Sequence, residues 1–228
     1  MRLIWLVCFA LIVNVGIAQK TYVGVKAGGH ASSAFIEHTI FNLNVNTTFL
    51  PGTSSGVFVK YLPKAANTFL NSGIQIGANY VQKGWRQTFL TDEPSYTARM
   101  NYLEIPLEGF GYFGDRNKYF ISAGFYTEFL LSTDLDPVPQ LNNMGGADFY
   151  TYRAGRDRDI GYGARLGGGM FRDLSIGTFQ LEGFFSYSFS NFIDPGDLTT
   201  ERPDLSNHWA VGFTVGYMIS LGGNKNVE

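Results

Sequence analysis

The stretch Met100–Leu131, MNYLEIPLEGFGYFGDRNKYFISAGFYTEFLL, constrains this chain more than any other. It holds two alternating runs joined by the polar turn Gly114–Lys118. In the first run Leu103, Ile105, Leu107 and Phe113 share one parity, and Tyr102, Glu104, Pro106 and Glu108 share the other. In the second, Tyr119, Ile121, Ala123, Phe125, Phe129 and Leu131 oppose Ser122, Gly124, Tyr126 and Glu128. A period of two is a strand. Both runs exceed the five or six residues usual in soluble sheets and supply the roughly 9–11 that cross a bilayer at a tilt. The stretch reads as a transmembrane β-hairpin.

The same alternation recurs along the chain. It is seen in TYVGVKAGG at 21–29, in Ser54–Leu62, Phe69–Gln82 and Ile160–Phe171, and again in Ile176–Ser190 and His208–Leu221. With the hairpin, that predicts eight strands. Short connections fall near 63–67, 114–118 and 172–175. Long polar ones cover His30–Gly52, Lys83–Thr97, Thr133–Arg156 and Asn191–Asn207. Tight turns at one end and long loops at the other are the asymmetry of an outer-membrane barrel, with the short turns periplasmic. The expected fold is all-β: an eight-stranded antiparallel up-and-down transmembrane β-barrel, one domain, monomeric, with outer-membrane lipid as its surroundings.

Periodicity alone does not say which face points outward. A soluble barrel would carry Lys and Glu on its polar face, whereas here that face is mostly Gly, Ser, Gln, Asn and Thr. The apolar face places Tyr61, Tyr80, Phe113, Tyr119, Trp209 and Tyr217 near strand ends, where interfacial girdles lie. The apolar face is therefore assigned to lipid.

The ends add a location. Residues 1–18 have a basic start at Arg2, an apolar run Leu3–Val13 and a small-residue site Gly16-Ile17-Ala18, the pattern of a secretory signal peptide cleaved before Gln19. The barrel is then expected over 19–221, with a short polar tail at 222–228. The one cysteine, Cys8, lies inside the signal, so no disulfide framework or thiolate chemistry is expected in the mature barrel. With 17 basic and 19 acidic residues there is no basic footprint for nucleic acid.

The opening GVKAGG, the central NYLEIPL at Asn101–Leu107, the glycine-rich GYGARLGGG at 161–169 and a closing Gly-Tyr at 216–217 together resemble the PorT-type outer-membrane β-barrel proteins of the Bacteroidetes. This chain departs from them after Leu107, where Glu108-Gly109-Phe110 follows. The resemblance implies an integral barrel of the outer membrane of a Gram-negative bacterium. It also implies a link to protein secretion by the type IX route, with envelope or secretion-complex proteins as partners.

Several constellations invite chemistry. GYGARLGGG has the glycines of a phosphate loop but lacks the strand-to-helix context, and its alternating glycines read better as an inner face cleared for larger neighbours. His30 and His38, with Ser32 and Ser33 nearby, fall in the first expected outer loop. They are the candidates for a hydrolase or acyltransferase alternative, without an identifiable orienting acid. Asp134, Asp136, Asn142, Asn143 and Asp148 lie together in sequence but break calcium-loop spacing at Pro137 and Pro139. No catalytic residue, cofactor site or metal site is assigned.

The inward charges are the most informative set. Parity places Lys26, Lys60 and Arg165 inside with Glu104, Glu108, Glu128 and Glu182. Eight strands leave room only for side chains, so these charges must be paired or hydrated. A salt-bridge plug is expected, with a narrow pore as the alternative. Hairpin register sets Glu104 opposite Glu128, so a cation should lie between them or one should be protonated. A turn over Arg172–Ser175 would set Arg165 opposite Glu182.

Overall fold

The structure, a computed structural model, describes residues 18–39, 42–63, 69–87, 96–136, 152–196 and 202–221. The signal and tail expectations, and Asn142, Asn143 and Asp148, lie outside the described residues, except that Ala18 opens the first strand. Eight long strands are found: β1 Ala18–His38, β2 Leu50–Pro63, β3 Asn71–Gln87, β4 Tyr96–Phe113, β5 Asn117–Asp136, β6 Ile160–Leu174, β7 Gly177–Ser188 and β8 Leu205–Leu221. Each pairs antiparallel with the next, and β8 pairs with β1 to close the ring. Two-residue pieces, Leu43–Asn44 and Thr47–Thr48, pair with the upper ends of β1 and β3.

The alternation sorts residues between lipid and lumen. On β1, Val23 and Val25 face out while Tyr22 and Lys26 are buried. On β8, Val211, Phe213 and Val215 face out against buried Ala210, Thr214 and Met218. Outward aromatics gather at both ends of the belt. Trp209 packs edge-on against Phe49 above, and Phe179 against Tyr217 below. Eight residues separate Tyr217 from Trp209. At ~3.4 Å per residue and a tilt of ~40° this gives a belt of about 21 Å, near the height of an outer-membrane barrel's apolar band.

The strands run further at the outer end than the sequence reading set them. β1 continues to His38, β3 to Gln87 and β5 to Asp136, while β2 starts at Leu50, β4 at Tyr96 and β8 at Leu205. Much of what reads as polar loop is strand above the membrane, where outward positions no longer need to be apolar. Arg86 and Asp136, both solvent-facing, show the change.

Register is as expected in one hairpin and not in another. Phe113 pairs with Tyr119 and Glu104 with Glu128, with Gly114 at φ +99° in the turn. Between β6 and β7 the turn is two residues, Ser175–Ile176, and Leu174 pairs with Gly177. Arg165 therefore lies opposite Ser186, four residues from the expected Glu182. Asp173 makes the difference. It stays in the strand, accepting from Thr178 at 2.6 Å and Lys118 at 2.7 Å, so Arg172 and Asp173 extend the ladder instead of forming the turn.

The assigned facing has a direct test. Phe213→Arg puts a charge into the belt and is expected to cost about 2–4 kcal/mol, whereas Phe213→Leu should leave stability nearly unchanged. Urea unfolding in lipid vesicles measures both. Equal stabilities of the two variants would overturn the facing.

Candidate functional site: the charged lumen

The lumen is built in three layers. At the end with the short turns, Tyr22, Phe58, Phe110, Tyr112, Phe120 and Phe171 form an aromatic cluster with Leu62 and Met218. At the other end Trp85, Tyr96, Met100 and Tyr102 pack with Ile36 from β1 and with Tyr152, Phe192 and Ile193 from the outer segments. Between them lie the charges. Each inward position of the strands contributes to one layer, so the strand period itself sets the layering.

Glu104 and Glu128, paired across β4 and β5, would repel each other alone. Lys83 sits between them, with its Nζ 3.1 Å from Glu104 Oε2 and 2.6 Å from Glu128 Oε2. Its ammonium also lies over the Tyr126 ring, 4.3 Å from the centroid. Arg165 serves the remaining carboxylates. Its guanidinium approaches Glu104 at 3.7 Å, Glu108 at 3.5 Å and Glu182 at 3.5 Å, and stacks over Phe184 at 3.8 Å. Lys26 reaches Glu182 at 3.8 Å, and Gln75 donates to Glu108 at 3.0 Å.

Lys60 is held differently. It donates to Gln180 Oε1 at 2.5 Å and lies 4.5–4.8 Å from the rings of Phe110, Phe120 and Phe171. Gln180 in turn donates to Glu182 at 3.4 Å, which ties the aromatic layer to the charged one. A cation over three ring faces is stabilised by their quadrupoles at low local dielectric.

All seven expected lumen residues are inside, each no more than 5% exposed. The set had one cation too few. Lys83, at 1% exposure, supplies it, so four cations face four glutamates among the described residues. Lys83 reads from sequence as the start of a polar loop. The signal that finds it is parity, since it continues the inward row Gln75, Asn79 and Val81, and Trp85 follows it. Arg165 reaches Glu182 diagonally, not as a direct cross-strand neighbour.

The glycines of β6 have their use here. A Cβ at Gly161 would meet Glu128 Oε1 at 2.8 Å, at Gly163 the Tyr126 hydroxyl at 2.5 Å, and at Gly167 Ser122 Oγ at 2.5 Å. The cleared face accommodates the side chains of β5 and Glu182.

The loop histidines and serines are elsewhere than expected. His30, Ser32 and Ser33 lie within β1, not in an outer loop. His30 Nε2 hydrogen-bonds to the Gln82 carbonyl oxygen at 2.6 Å, and Ser32 Oγ donates to the Gly84 carbonyl at 3.1 Å. Ser33 Oγ donates to Thr47 at 3.2 Å, and His38 is buried in the same strand. Asp134 and Asp136 lie on β5. Among the described residues no group of three or more His, Cys, Asp or Glu is placed to hold a metal ion. At the outer mouth, burial and the Asp159 carboxylate, to which its hydroxyl donates at 3.3 Å, push the Tyr152 phenol up to about 12.

The family model of the outer membrane protein beta-barrel domain matches residues 17–194, well over half of the chain. The chain belongs to that family. It is an integral outer-membrane β-barrel protein. Among solved structures it is similar to Ail, the attachment invasion locus protein of Yersinia pestis, in complex with the heparin analogue sucrose octasulfate. That likeness has 9% identity and a TM-score of 0.40, covering 88% of this chain and 99% of that one. Neisserial surface protein A is similar at 11% identity and a TM-score of 0.42, covering 86% and 96%. The N-terminal β-barrel domain of Pseudomonas aeruginosa OprF is similar at 12% identity and a TM-score of 0.39, covering 89% and 99%. No curated protein matches the chain.

The role of Lys83 is testable. Lys83→Met leaves two buried carboxylates facing each other and is expected to destabilise the barrel by about 3–5 kcal/mol. Adding Glu128→Gln to that variant should restore most of the loss, because the repulsion is then gone. Urea titration of both variants in vesicles reads this. A double variant as unstable as the single one would contradict the assigned pairing.

Proposed function

We propose that this is a non-enzymatic, non-conducting barrel whose plugged interior makes a rigid support for its outer segments, which dock to other components of the cell envelope. The observation that carries the reading is the filled lumen: an aromatic layer, a charge-balanced layer and a second apolar layer, joined by Lys60 and Gln180 to Glu182 at one end and by Lys83 over Tyr102 at the other. Ion passage would require separating Arg165 from its glutamates in a low-dielectric interior, which costs several kcal/mol. Side chains that bond to backbone carbonyls, as His30 and Ser32 do, are poorly placed to act as base and nucleophile.

The outer segments are organised for presentation. Arg158 donates its amide to the Phe192 carbonyl at 3.0 Å, and Phe192 donates to the Ser206 carbonyl at 2.9 Å. Asp157 accepts from the amides of Arg153 and Asp194 and from the Arg156 guanidinium. Segments tied down in this way suit binding to a protein partner better than segments that must be ordered on contact. The resemblance to PorT-type barrels directs this docking towards protein secretion across the outer membrane by the type IX route.

Two measurements test the proposal. In planar bilayers the purified barrel should give no conductance steps above the bare membrane; stepwise currents would favour a pore. After cross-linking in the membrane and gentle extraction, the barrel should be recovered with envelope proteins. A barrel recovered alone would contradict docking.

A further inference from the structure

The outer mouth is stoppered by residues from two separate segments, 152–159 and 189–196, and one titratable ring lies directly beneath the stopper. Phe192 lies flat on the imidazole of His208, with 4.3 Å between centroids and 21° between planes. Trp85 and Tyr102 border the same ring at 5.6 and 6.0 Å. His208 is 1% exposed, and Phe192 and Ile193 above it are 5% and 0% exposed. Neither nitrogen of His208 has a hydrogen-bond partner. Among the described residues the Ser33 carbonyl on β1 is the one neighbouring acceptor, and it is placed without the geometry of a hydrogen bond.

The charged and titratable groups around this ring offer a proton no compensation. β3 brings Lys83, a cation, and β4 brings the phenols of Tyr96 and Tyr102. β1 carries His30 and His38, and the 152–159 segment carries Tyr152. The nearest lumen carboxylates, Glu104 and Glu128, are taken up by Lys83, and Asp157 at the mouth is taken up by Arg156.

We propose that His208 is an acid-sensitive latch: as a neutral ring it carries the Phe192–Ile193 stopper, and on protonation it releases it. An imidazolium in the closed mouth would be desolvated, with only the poorly aligned Ser33 carbonyl beside it and in the field of Lys83, a costly way to place a charge. Lifting Phe192 gives the ring water. The open mouth can bind a proton at the ordinary imidazole value of ~6.5 while the closed one cannot. Acidification to pH 4.5 therefore raises the ratio of open to closed by up to about 100-fold. The latch exposes the upper lumen, above the layer that Lys83 forms with Glu104 and Glu128.

Trp85 reports on the stopper, since its ring is 4.7 Å from Phe192. Replacing Trp5 and Trp209 by Phe leaves it the sole tryptophan of the chain. In vesicles, quenching of Trp85 by aqueous acrylamide should be weak at pH 7.5 and several-fold stronger at pH 4.5, and should return on neutralisation. His208→Phe, which keeps a flat ring under Phe192, should hold quenching weak at both pH values. Trp85 protected at pH 4.5 in the parent overturns the latch. So does acid-induced quenching in His208→Phe, which would assign the response to another group. Strong quenching of His208→Phe already at pH 7.5 also overturns it, because a phenyl ring fills the same stack.

Discussion

Charge cancellation inside a closed ring of strands is the condition on which this structure depends. Four glutamates share a lumen with three lysines and one arginine, and at low dielectric any one of them left unpaired would cost several kcal/mol. Lys83 converts the Glu104–Glu128 repulsion into two short contacts, and Arg165 spans Glu104, Glu108 and Glu182. Because Glu104 touches both cations, the two halves of the network are one unit. Removing Lys83 leaves Glu128 with no cation, and removing Arg165 leaves Glu108 with none. Such a unit fixes strand register as well as filling space, since slipping β4 against β5 would separate the pair that Lys83 bridges.

Around that layer the sequence uses ordinary barrel physics. Aromatic side chains seal the lumen towards the short turns, where Lys60 rests on three phenylalanine rings and hands a hydrogen bond through Gln180 to Glu182. The outer end is sealed by a mixed cluster that recruits Phe192 and Ile193 from beyond the strands. The bald β6 face lets β5 and Glu182 bring long side chains into a space that eight strands make narrow. A filled cylinder of this kind gives the described parts of its outer segments, 152–159 and 189–196, a firm base.

The fold was legible because lipid imposes a strict rule. Within the belt nearly every outward residue is apolar, so Val57, Val59, Phe213 and Val215 announce their strands and their facing. Above the belt the rule lapses, and the extensions of β1, β3 and β5 look like loops; inward parity continues on β1 and β3, while on β5 a bulge at Leu131 shifts it by one residue. For that reason Lys83 reads as the start of a loop, and His30 and Ser32 read as loop residues. The seven other lumen charges were legible from parity alone. Their partners were less so, because register depends on turn length: Asp173 reads as a turn residue, yet its bonds to Thr178 and Lys118 hold it in the strand. The mouth cluster joins β1, β3, β4 and β8 to Tyr152 and Phe192, a contact that no local pattern encodes.

The most direct test of a sealed, charge-balanced interior is chemical access to its middle. Ser122 lies at mid-lumen, 5% exposed, beside Gly167 and the Glu182 carboxylate. Ser122→Cys changes one atom and, with Cys8 replaced by Ser, leaves the chain's single thiol in the charged layer. A small membrane-impermeant thiol reagent applied from both sides of the membrane should leave the folded barrel unmodified and label it fully after unfolding. Labelling of the folded barrel at the rate of an exposed cysteine would show an open, hydrated lumen and contradict the account.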